Sequence, residues 1–204
     1  MRTLAIETAT EACSVALFED GRLLGHDHRV LGRGHAERLV PMIAALPDKG
    51  KAQRILVSRG PGSFTGVRIG IATARALGIA WGAEVLGYPT LSLVAARCLQ
   101  PTPQPVTVCM NGGHGEWFVQ NFDGGKPQDA VQSLTPDGAE KACRHERIAG
   151  NRAQDLAARF AEGTKIAIDI LPDASKLDLL HESNWTSDLS PIYGRPPDAK
   201  PAAA

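Results

Sequence analysis

The first half of the chain opens with short apolar runs separated by tight turns. Residues 3–6 are apolar except for Thr3, residues 13–19 alternate between apolar and polar positions, and residues 22–30 form a third, more polar run. Asp20 and Gly21 stand between the last two runs, and this dipeptide is typical of a two-residue β-hairpin. The pattern therefore predicts three consecutive strands joined by turns.

Helical spacing follows these strands. Apolar positions between residues 35 and 46 recur every three or four residues and predict a helix, with Pro41 kinking it or marking its first ordered turn. Residues 54–58 suit a short buried parallel strand. A long helix, a strand at 84–89 and a helix with Thr90 as its N-cap complete the predicted order βββαβαβα.

A proline-rich segment separates the two halves. Residues 100–105 contain three prolines and suggest a domain boundary, with a first domain of residues 1–99 and a second of residues 105–204. In the second domain we expect strands at 106–110 and 116–122, a helix at 151–162 and a last strand at 165–170. The tail from Pro191 is rich in proline and alanine, and we expect its end to be loose.

Composition narrows the class of protein. Among 204 residues, Lys plus Arg equals Asp plus Glu at 22 each, which disfavours a chain that binds nucleic acid by itself but not a subunit of a larger nucleic-acid enzyme. The four cysteines are dispersed without metal-ligand spacing, which is typical of a reduced cytosolic protein. The N-terminal pattern is too short for a signal peptide, and no apolar run is long enough for a membrane span. We therefore expect a cytoplasmic protein.

The long helix carries small residues in two rows, with residues four positions apart in each row. One row contains Gly66, Gly70, Ala74 and Gly78, and the opposite row contains Arg68, Ala72, Ala76 and Ala80. Each interior glycine costs about 1 kcal/mol relative to alanine, so the glycine row must gain something from close backbone approach. Because the helix is apolar almost all round, either the rest of the chain covers it or another subunit docks on the glycine row.

The segment before this helix, "SRGPGSFTG", offers a candidate anion site. It lacks the Gly-Lys-Ser/Thr of a phosphate loop and the spacing of a hydrolase elbow, and its glycines support a dinucleotide fold only weakly. What remains is a helix N-terminus near Gly62 and Ser63, which favours anions. Glu7, Thr8 and Thr10, on the turn after the first strand, suit a phosphate or Mg²⁺ contact. Ordinary capping and turn hydrogen bonds explain these residues equally well.

Other candidate chemistry is sparse. His26 and His28 lie on one face of the third strand, where a two-ligand metal site competes with a simple solvated face. No Ser-His-Asp or Cys-His set stands out, and "HGE" at 114–116 lacks the metalloprotease pattern. We predict no catalytic residues and no metal ligands in this chain.

The residue pattern resembles a known family. "LAIETATEACSVAL" at the N-terminus, "HAERLVP" opening the first helix and "RGPGSFTGVRIGIATARALG" are similar to the bacterial TsaB (YeaZ) family over about residues 2–99. "PIYGR" at 191–195 is similar to a short C-terminal motif of that family. The resemblance implies an α/β actin-like/Hsp70-like (ASKHA) fold with two lobes, the second degenerate.

The resemblance also implies a function. It implies a non-catalytic subunit in the synthesis of threonylcarbamoyladenosine on tRNAs that read ANN codons, with a TsaD-type metal-binding paralogue and a TsaE-type small ATPase as partners. It implies a homodimer when the protein is alone, tRNA contact through the complex, and ATP or ADP with Mg²⁺ at most at a subunit junction. The interface would use the two long helices, and the residues expected there are His35, Leu39, Ile43, Gly66, Gly70, Ala74 and Gly78.

Two departures from the family pattern bear on nucleotide binding. Glu7 stands where the family usually has Asp, and residues 110–114 replace an Asp-Ala-Arg-like turn. Both departures weigh against a nucleotide role for the second lobe more than against a partner role. The alternative functions are a nucleotide-binding actin-like ATPase acting by itself and, third, a dehydrogenase.

Overall fold

Two β-sheets organise the residues that the computed structural model describes, which are 1–98 and 104–194. The first sheet has the strand order β3-β2-β1-β4-β5. Its strands are β1 (Arg2–Glu7), β2 (Ala12–Glu19), β3 (Arg22–Val30), β4 (Arg54–Ser58) and β5 (Glu84–Tyr88). β1, β2 and β3 pair antiparallel, whereas β4 and β5 continue the sheet in parallel from β1. The predicted meander and the parallel strand at 54–58 are confirmed.

Three helices belong with the first sheet: α1 (His35–Ala44), α2 (Phe64–Trp81) and α3 (Thr90–Arg97). α1 and α2 cover one face of the sheet, where Leu4, Ile6 and Val57 form part of the buried core. Pro41 lies inside α1, and a short 3₁₀ helix (Pro47–Gly50) follows. The chain order βββαβαβα is confirmed.

The predicted cap of α3 is wrong. Pro89 precedes the helix as its N-cap, and Thr90 is the first helical residue. The Thr90 hydroxyl lies 2.5 Å from the hydroxyl of Ser58, at the end of β4, so it joins α3 to the first sheet instead of capping the helix. Proline is well suited to the start of a helix because no intrahelical partner is lost there.

α3 lies between the two sheets. Leu93 and Ala96 pack against the first sheet, and Leu91 and Val94 pack against the second. Because both sides of this helix are covered, seven of its eight residues are buried, which explains its nearly continuous apolar sequence.

The second sheet has the order β11-β10-β6-β7-β8, with β9 also paired to β7. Its strands are β6 (Val106–Gly113), β7 (Glu116–Asp123), β8 (Lys126–Pro127), β9 (Gln132–Leu134), β10 (Arg147–Ala149) and β11 (Ile166–Ile168). Two helices, α4 (Pro136–Ala142) and α5 (Ala153–Ala157), cover its outer face. The predicted strands at 106–110 and 116–122 are present and longer than expected. The predicted helix at 151–162 is wrong in length, because only Ala153–Ala157 is helical.

The end of the described chain returns to the first sheet. Two 3₁₀ helices (Ala174–Leu179 and Glu182–Asn184) lead to an antiparallel bridge between Gly87 and Thr186. Ala174 and Leu177 pack against the first sheet. Parts of residues 174–186, within the predicted second domain, therefore pack against the first sheet. Most of the expected hinge at 100–105, and the tail after residue 194, lie outside the described residues.

Candidate functional site: the outer helix face and the turn after the first strand

The glycine row of α2 faces the first sheet. Gly66, Gly70, Ala74 and Gly78 are all buried. A β-carbon on Gly66 would collide with the carbonyl oxygen of Thr8, one on Gly70 with the hydroxyl of Thr8, and one on Gly78 with the side chain of Val85. The expectation of close backbone approach was right, but the surface approached is the chain's own sheet. The prediction that this row docks another subunit is wrong.

The three interface residues predicted on α1 are also internal. Leu39 and Ile43 lie in the core beneath the first sheet. The side chain of His35 is only 7% exposed, and its Nε2–H faces the carbonyl oxygens of Thr10 at 2.9 Å and Ala12 at 3.2 Å. His35 therefore ties the start of α1 to the turn after β1. Like the glycine row, these residues are packed within the chain because the apolar stripe of α1 covers its own sheet.

The opposite sides of α1 and α2 form an exposed apolar surface. Ile79 is 86% exposed and Val40 is 54% exposed. Between and around them lie small exposed side chains, which are Ala36 and Ala44 on α1 and Ala72, Ala76 and Ala80 on α2. α1 contacts α2 directly, and both helices expose these residues on the side away from the first sheet. We call these seven residues the outer helix face.

The sequence contained a signal for which row is internal. Three of the four inner positions are glycine, where a β-carbon would collide with neighbouring atoms, and three of the four outer positions are alanine, where a β-carbon is exposed and favours the helix. A row of glycines and a row of alanines on one helix therefore indicate different surroundings, the first facing the sheet and the second facing solvent.

Glu7, at the end of β1, is fully buried. Its Oε1 accepts the backbone N–H of Ala9 at 2.7 Å, and the hydroxyl of Tyr88 lies 3.4 Å from its Oε2. Burial raises the pKa of the Glu7 carboxyl to about 7, and the hydrogen bond from Ala9 opposes that rise only in part. The buried Glu7 carboxyl therefore stabilises the turn that follows β1 through its hydrogen bond with Ala9.

The structure brings the other predicted anion-site residues together, but their polar groups bond to one another. The hydroxyl of Thr8 donates to the carbonyl of Gly66 at 2.8 Å, and the N–H of Ser63 donates to the carbonyl of Ala9 at 2.7 Å. The side chain of Ser63 caps α2 by accepting the N–H of Gly66 at 3.2 Å. The turn after β1 is therefore hydrogen-bonded to the N-terminal end of α2.

Two further contacts hold the turn after β1 in place. A β-carbon on Gly62 would collide with the carbonyl of Ala9, and the hydroxyl of Thr10 accepts the N–H of Ala12 at 3.2 Å. With Glu7 buried and the Thr8 hydroxyl and the Ser63 N–H bonded within the chain, these three groups are not available to a Mg²⁺–nucleotide. Within residues 1–98 and 104–194, no three His, Cys, Asp or Glu side chains are grouped to hold a metal ion.

Asn151 joins the turn after β1 to the hairpin between β6 and β7. Its Nδ2 donates to both carboxylate oxygens of Glu11, at 2.8 and 3.0 Å, and its Oδ1 accepts the N–H of Asn111 at 2.9 Å. We call this set of contacts the Asn151 bridge. Sequence reasoning misses it, because Asn151 looks like the start of a helix and no local pattern indicates a partner 140 residues away.

Comparisons with known proteins agree on one family. Residues 29–180 match the family described as "TsaD: tRNA N6-adenosine threonylcarbamoyltransferase". The Escherichia coli K12 protein named "tRNA threonylcarbamoyladenosine biosynthesis protein TsaB" is 47% identical over 102 residues, covering 47% of this chain and 43% of that protein. The chain thus aligns with less than half the length of this curated relative. No helix among the described residues has the length and hydropathy needed to cross a membrane.

Two longer matches cover most of the chain. The Mycobacterium tuberculosis H37Rv protein named "Uncharacterized protein Rv3421c" is 32% identical over 215 residues, covering 98% of this chain and 94% of that protein. A solved Pseudomonas aeruginosa structure, titled as an uncharacterized protein with similarity to peptidase YEAZ, has a TM-score of 0.73 at 30% identity and covers 88% of each chain. The chain, with its α/β actin-like (ASKHA) fold of two lobes, therefore belongs to the TsaB (YeaZ) family.

Proposed function

We propose that this chain is a non-catalytic subunit in tRNA threonylcarbamoyladenosine biosynthesis and that it binds a TsaD-type paralogue through the outer helix face. The name of its curated Escherichia coli relative supports the pathway. The match to the TsaD family over residues 29–180 supports pairing between subunits of related fold. Modification of tRNA would place the protein in the cytoplasm.

The outer helix face is the observation that carries the proposal. Val40 and Ile79 expose large apolar side chains in the isolated chain, and burying such surface stabilises a complex by about 25 cal/mol per Å². The alanines beside them leave grooves into which the ridges of another helix can pack. Exposed charged residues, Glu37 on α1 and Arg75 on α2, give the face a polar surround of the kind found around interface cores.

The same face explains the expected homodimer. In the absence of the paralogue, a second copy can offer an identical apolar surface, and two-fold symmetric pairing lets each copy cover the other. The two modes of association then compete, because both bury the outer helix face.

The internal bonding of the turn after β1 supports a non-catalytic role. Glu7 and Ser63 contact their own chain in the positions where a nucleotide enzyme would need free ligands. In this proposal the paralogue performs the transfer, and a TsaE-type ATPase and tRNA meet this chain only within the complex. Any ATP or ADP with Mg²⁺ would then bind at a subunit junction, with ligands from the partner.

Substitution of Ala76 by Arg tests the docking surface. A long charged side chain at this exposed helical position leaves the fold intact but cannot be buried against an apolar partner without a large desolvation cost. We expect binding to the TsaD-type partner, measured by calorimetry with purified proteins, to weaken at least tenfold, or about 1.4 kcal/mol. Ala158→Arg, at an exposed position near the end of α5, is the matched control. Equal affinity of the two variants would refute this docking surface.

Calorimetry of the isolated chain with ATP and Mg²⁺ separates the proposal from the ATPase alternative. We expect no saturable heat, because Glu7 is buried and the Thr8 hydroxyl and the Ser63 N–H are already bonded within the chain. Micromolar binding accompanied by hydrolysis would make the chain an enzyme in its own right.

A further inference from the structure

Two aromatic rings are exposed at the beginning of α2. Phe64 is the first residue of the helix and is 63% exposed, and Tyr193 is 37% exposed. The two rings stack with their centroids 5.8 Å apart. The segment that carries Tyr193 is fixed to the first lobe, because the N–H of Ile192 donates to the carbonyl oxygen of Arg59 at 2.7 Å. The two rings therefore have a defined arrangement at the surface.

The guanidinium group of Arg68 lies against this aromatic pair. Its central carbon is 3.2 Å from the centre of the Phe64 ring and 5.3 Å from the centre of the Tyr193 ring. Its Nη2 donates to the hydroxyl of Tyr193 at 2.5 Å. Contacts of this kind between arginine and aromatic faces are favourable and restrict the side chain. Arg68 is thus held in position before any partner binds, which lowers the entropy cost of using it in an interface.

The positive charge of Arg68 is not neutralised within the described chain. Arg68 is exposed and forms no salt bridge with any residue in the ranges 1–98 and 104–194. The sequence of α2 contains two arginines, Arg68 and Arg75, and no aspartate or glutamate. A guanidinium group has several N–H donors in a planar fork, and the bond to Tyr193 uses one of them. A carboxylate complements the other donors, because it can accept two parallel hydrogen bonds from them.

The position of Arg68 on α2 indicates what would bring that carboxylate. Residues four apart on a helix are neighbours, so Arg68 adjoins Ala72 and Arg75 adjoins Ile79, and both of these neighbours belong to the outer helix face. A subunit docked on the outer helix face therefore lies beside both arginines. Phosphate is the other common ligand of arginine, but binding to the phosphates of tRNA relies on concentrated Lys and Arg, of which α2 contributes two.

We propose that the TsaD-type partner presents a carboxylate to Arg68, and that Phe64 and Tyr193 extend the docking surface beyond the outer helix face. This inference rests on the proposed function, because it requires the partner to cover the outer helix face. It adds the chemistry of the partner's surface, which is apolar opposite the alanines of α2 and acidic opposite Arg68. Once the partner excludes water from the aromatic pair, the attraction between the two charges increases.

Three substitutions at position 68, compared by calorimetry with the purified TsaD-type partner, test the inference. Arg68→Ala removes a hydrogen-bonded charge and should weaken binding about tenfold. Arg68→Glu places two negative charges opposite each other and should weaken binding by about a further tenfold. Arg68→Lys keeps the charge but loses the planar fork, so its affinity should lie between those of the parent and Arg68→Ala. A side chain that only supports the fold would not give this order, because exposed substitutions change stability little.

The dependence of binding on salt is a second readout. The affinity of the parent should fall as NaCl is raised from about 0.05 to about 0.5 M, because salt screens charge pairs near the surface. Arg68→Ala should show a smaller decrease, since it lacks one partner of the pair. Arg22→Ala, at an exposed position at the start of β3, is the matched control and should keep the affinity and the salt dependence of the parent.

The outcomes separate this inference from the proposed function. If Ala76→Arg weakens binding and the Arg68 variants do not, the outer helix face remains the docking surface and the acidic contact is refuted. If neither position affects binding, both proposals are refuted. Equal losses in Arg68→Ala and Arg68→Glu, or an unchanged salt dependence in Arg68→Ala, would also overturn the acidic contact. So would a loss of tRNA binding by the assembled complex without a loss of affinity between subunits, because it would assign Arg68 to a phosphate.

Discussion

Replacing Gly70 by alanine gives opposite outcomes under two physical arguments. Helix propensity alone predicts a gain of about 1 kcal/mol in the free energy of unfolding, because alanine is the better helix former. Packing predicts a loss, because the new β-carbon would collide with the hydroxyl of Thr8 and would lie 3.4 Å from Cγ2 of Val57. The sign of the measured change therefore decides which surface of α2 faces the sheet.

The magnitude follows from the contacts. Overpacking a tightly packed site costs about 1–3 kcal/mol, and displacing Thr8 from its hydrogen bond to Gly66 costs about 1 kcal/mol more. After subtraction of the helix gain, we expect Gly70→Ala to destabilise the chain by about 2 kcal/mol. For a chain of 204 residues this corresponds to a decrease in Tm of about 4–8 °C.

Thermal unfolding followed by circular dichroism measures the change, with Gly70→Ala, Thr8→Ala and the double variant compared in a cycle. Thr8→Ala removes the colliding hydroxyl, so the double variant should be more stable than the sum of the two single effects predicts. Ala72→Gly, on the outer row, is the control and should cost only the propensity difference of about 1 kcal/mol. A rise in Tm for Gly70→Ala, or strict additivity in the cycle, would show that the glycine row does not pack against Thr8.

Two further predictions concern the buried acid and the interlobe contact. The pKa of Glu7 is about 7 in the folded chain and near 4.5 in the unfolded chain. Between these two pH values the folded chain keeps a proton on Glu7 that the unfolded chain has lost. The free energy of unfolding should therefore fall as pH rises from about 4.5 to about 7, by up to about 3 kcal/mol. Glu7→Gln should therefore be more stable than the parent at pH 8 and similar to it at pH 5 in denaturant titrations, and equal differences at both pH values would contradict this. Asn151→Asp should place a second carboxylate against Glu11 and lower the free energy of unfolding by about 1–3 kcal/mol, whereas Asn184→Asp, outside the bridge, should change it by less than about 0.5 kcal/mol. Comparable losses in the two variants would show that the bridge contributes nothing.

The fold of the first half was predictable because local signals and long-range packing agree there. Residues 3–6, 13–19 and 22–30 show the apolar pattern of strands, and the Asp20-Gly21 turn fixes how two of them pair. The second half was harder to predict. β9 and β10 have three residues each, which is too short for a periodic pattern to develop, whereas the strand expected at 165–170 is confirmed as β11, at Ile166–Ile168. The positions of these strands depend on pairing instead, because β9 pairs with β7, β10 with β6 and β11 with β10.

The residues that meet at the turn after β1 were predictable, but the residues of the outer helix face were not, since docking was expected on the glycine row. The turn after β1 and the N-terminus of α2 do meet, as the positions of Glu7 and Ser63 suggested. A sequence cannot show whether such groups are open to a ligand or already bonded to each other, because that depends on distances of a few tenths of an ångström. The side of α2 that faces the sheet could have been inferred, because each glycine inside the helix (Gly66, Gly70 and Gly78) lies where a β-carbon does not fit.

The internally bonded turn after β1 and the exposed outer helix face have one physical explanation. An actin-like chain that binds a nucleotide must keep polar groups unpaired at the ends of its central strands, and unpaired buried groups cost stability. Here Glu11 and Asn151 connect the two lobes directly, and Thr8 and Ser63 bond within the first lobe. With those groups satisfied internally, the outer helix face is the exposed apolar surface that the proposal assigns to association. In the proposed role, this chain binds its partner through the outer helix face and does not bind a nucleotide at the turn after β1. Ala76→Arg should therefore disrupt association, whereas substitutions in the turn after β1 should disrupt folding.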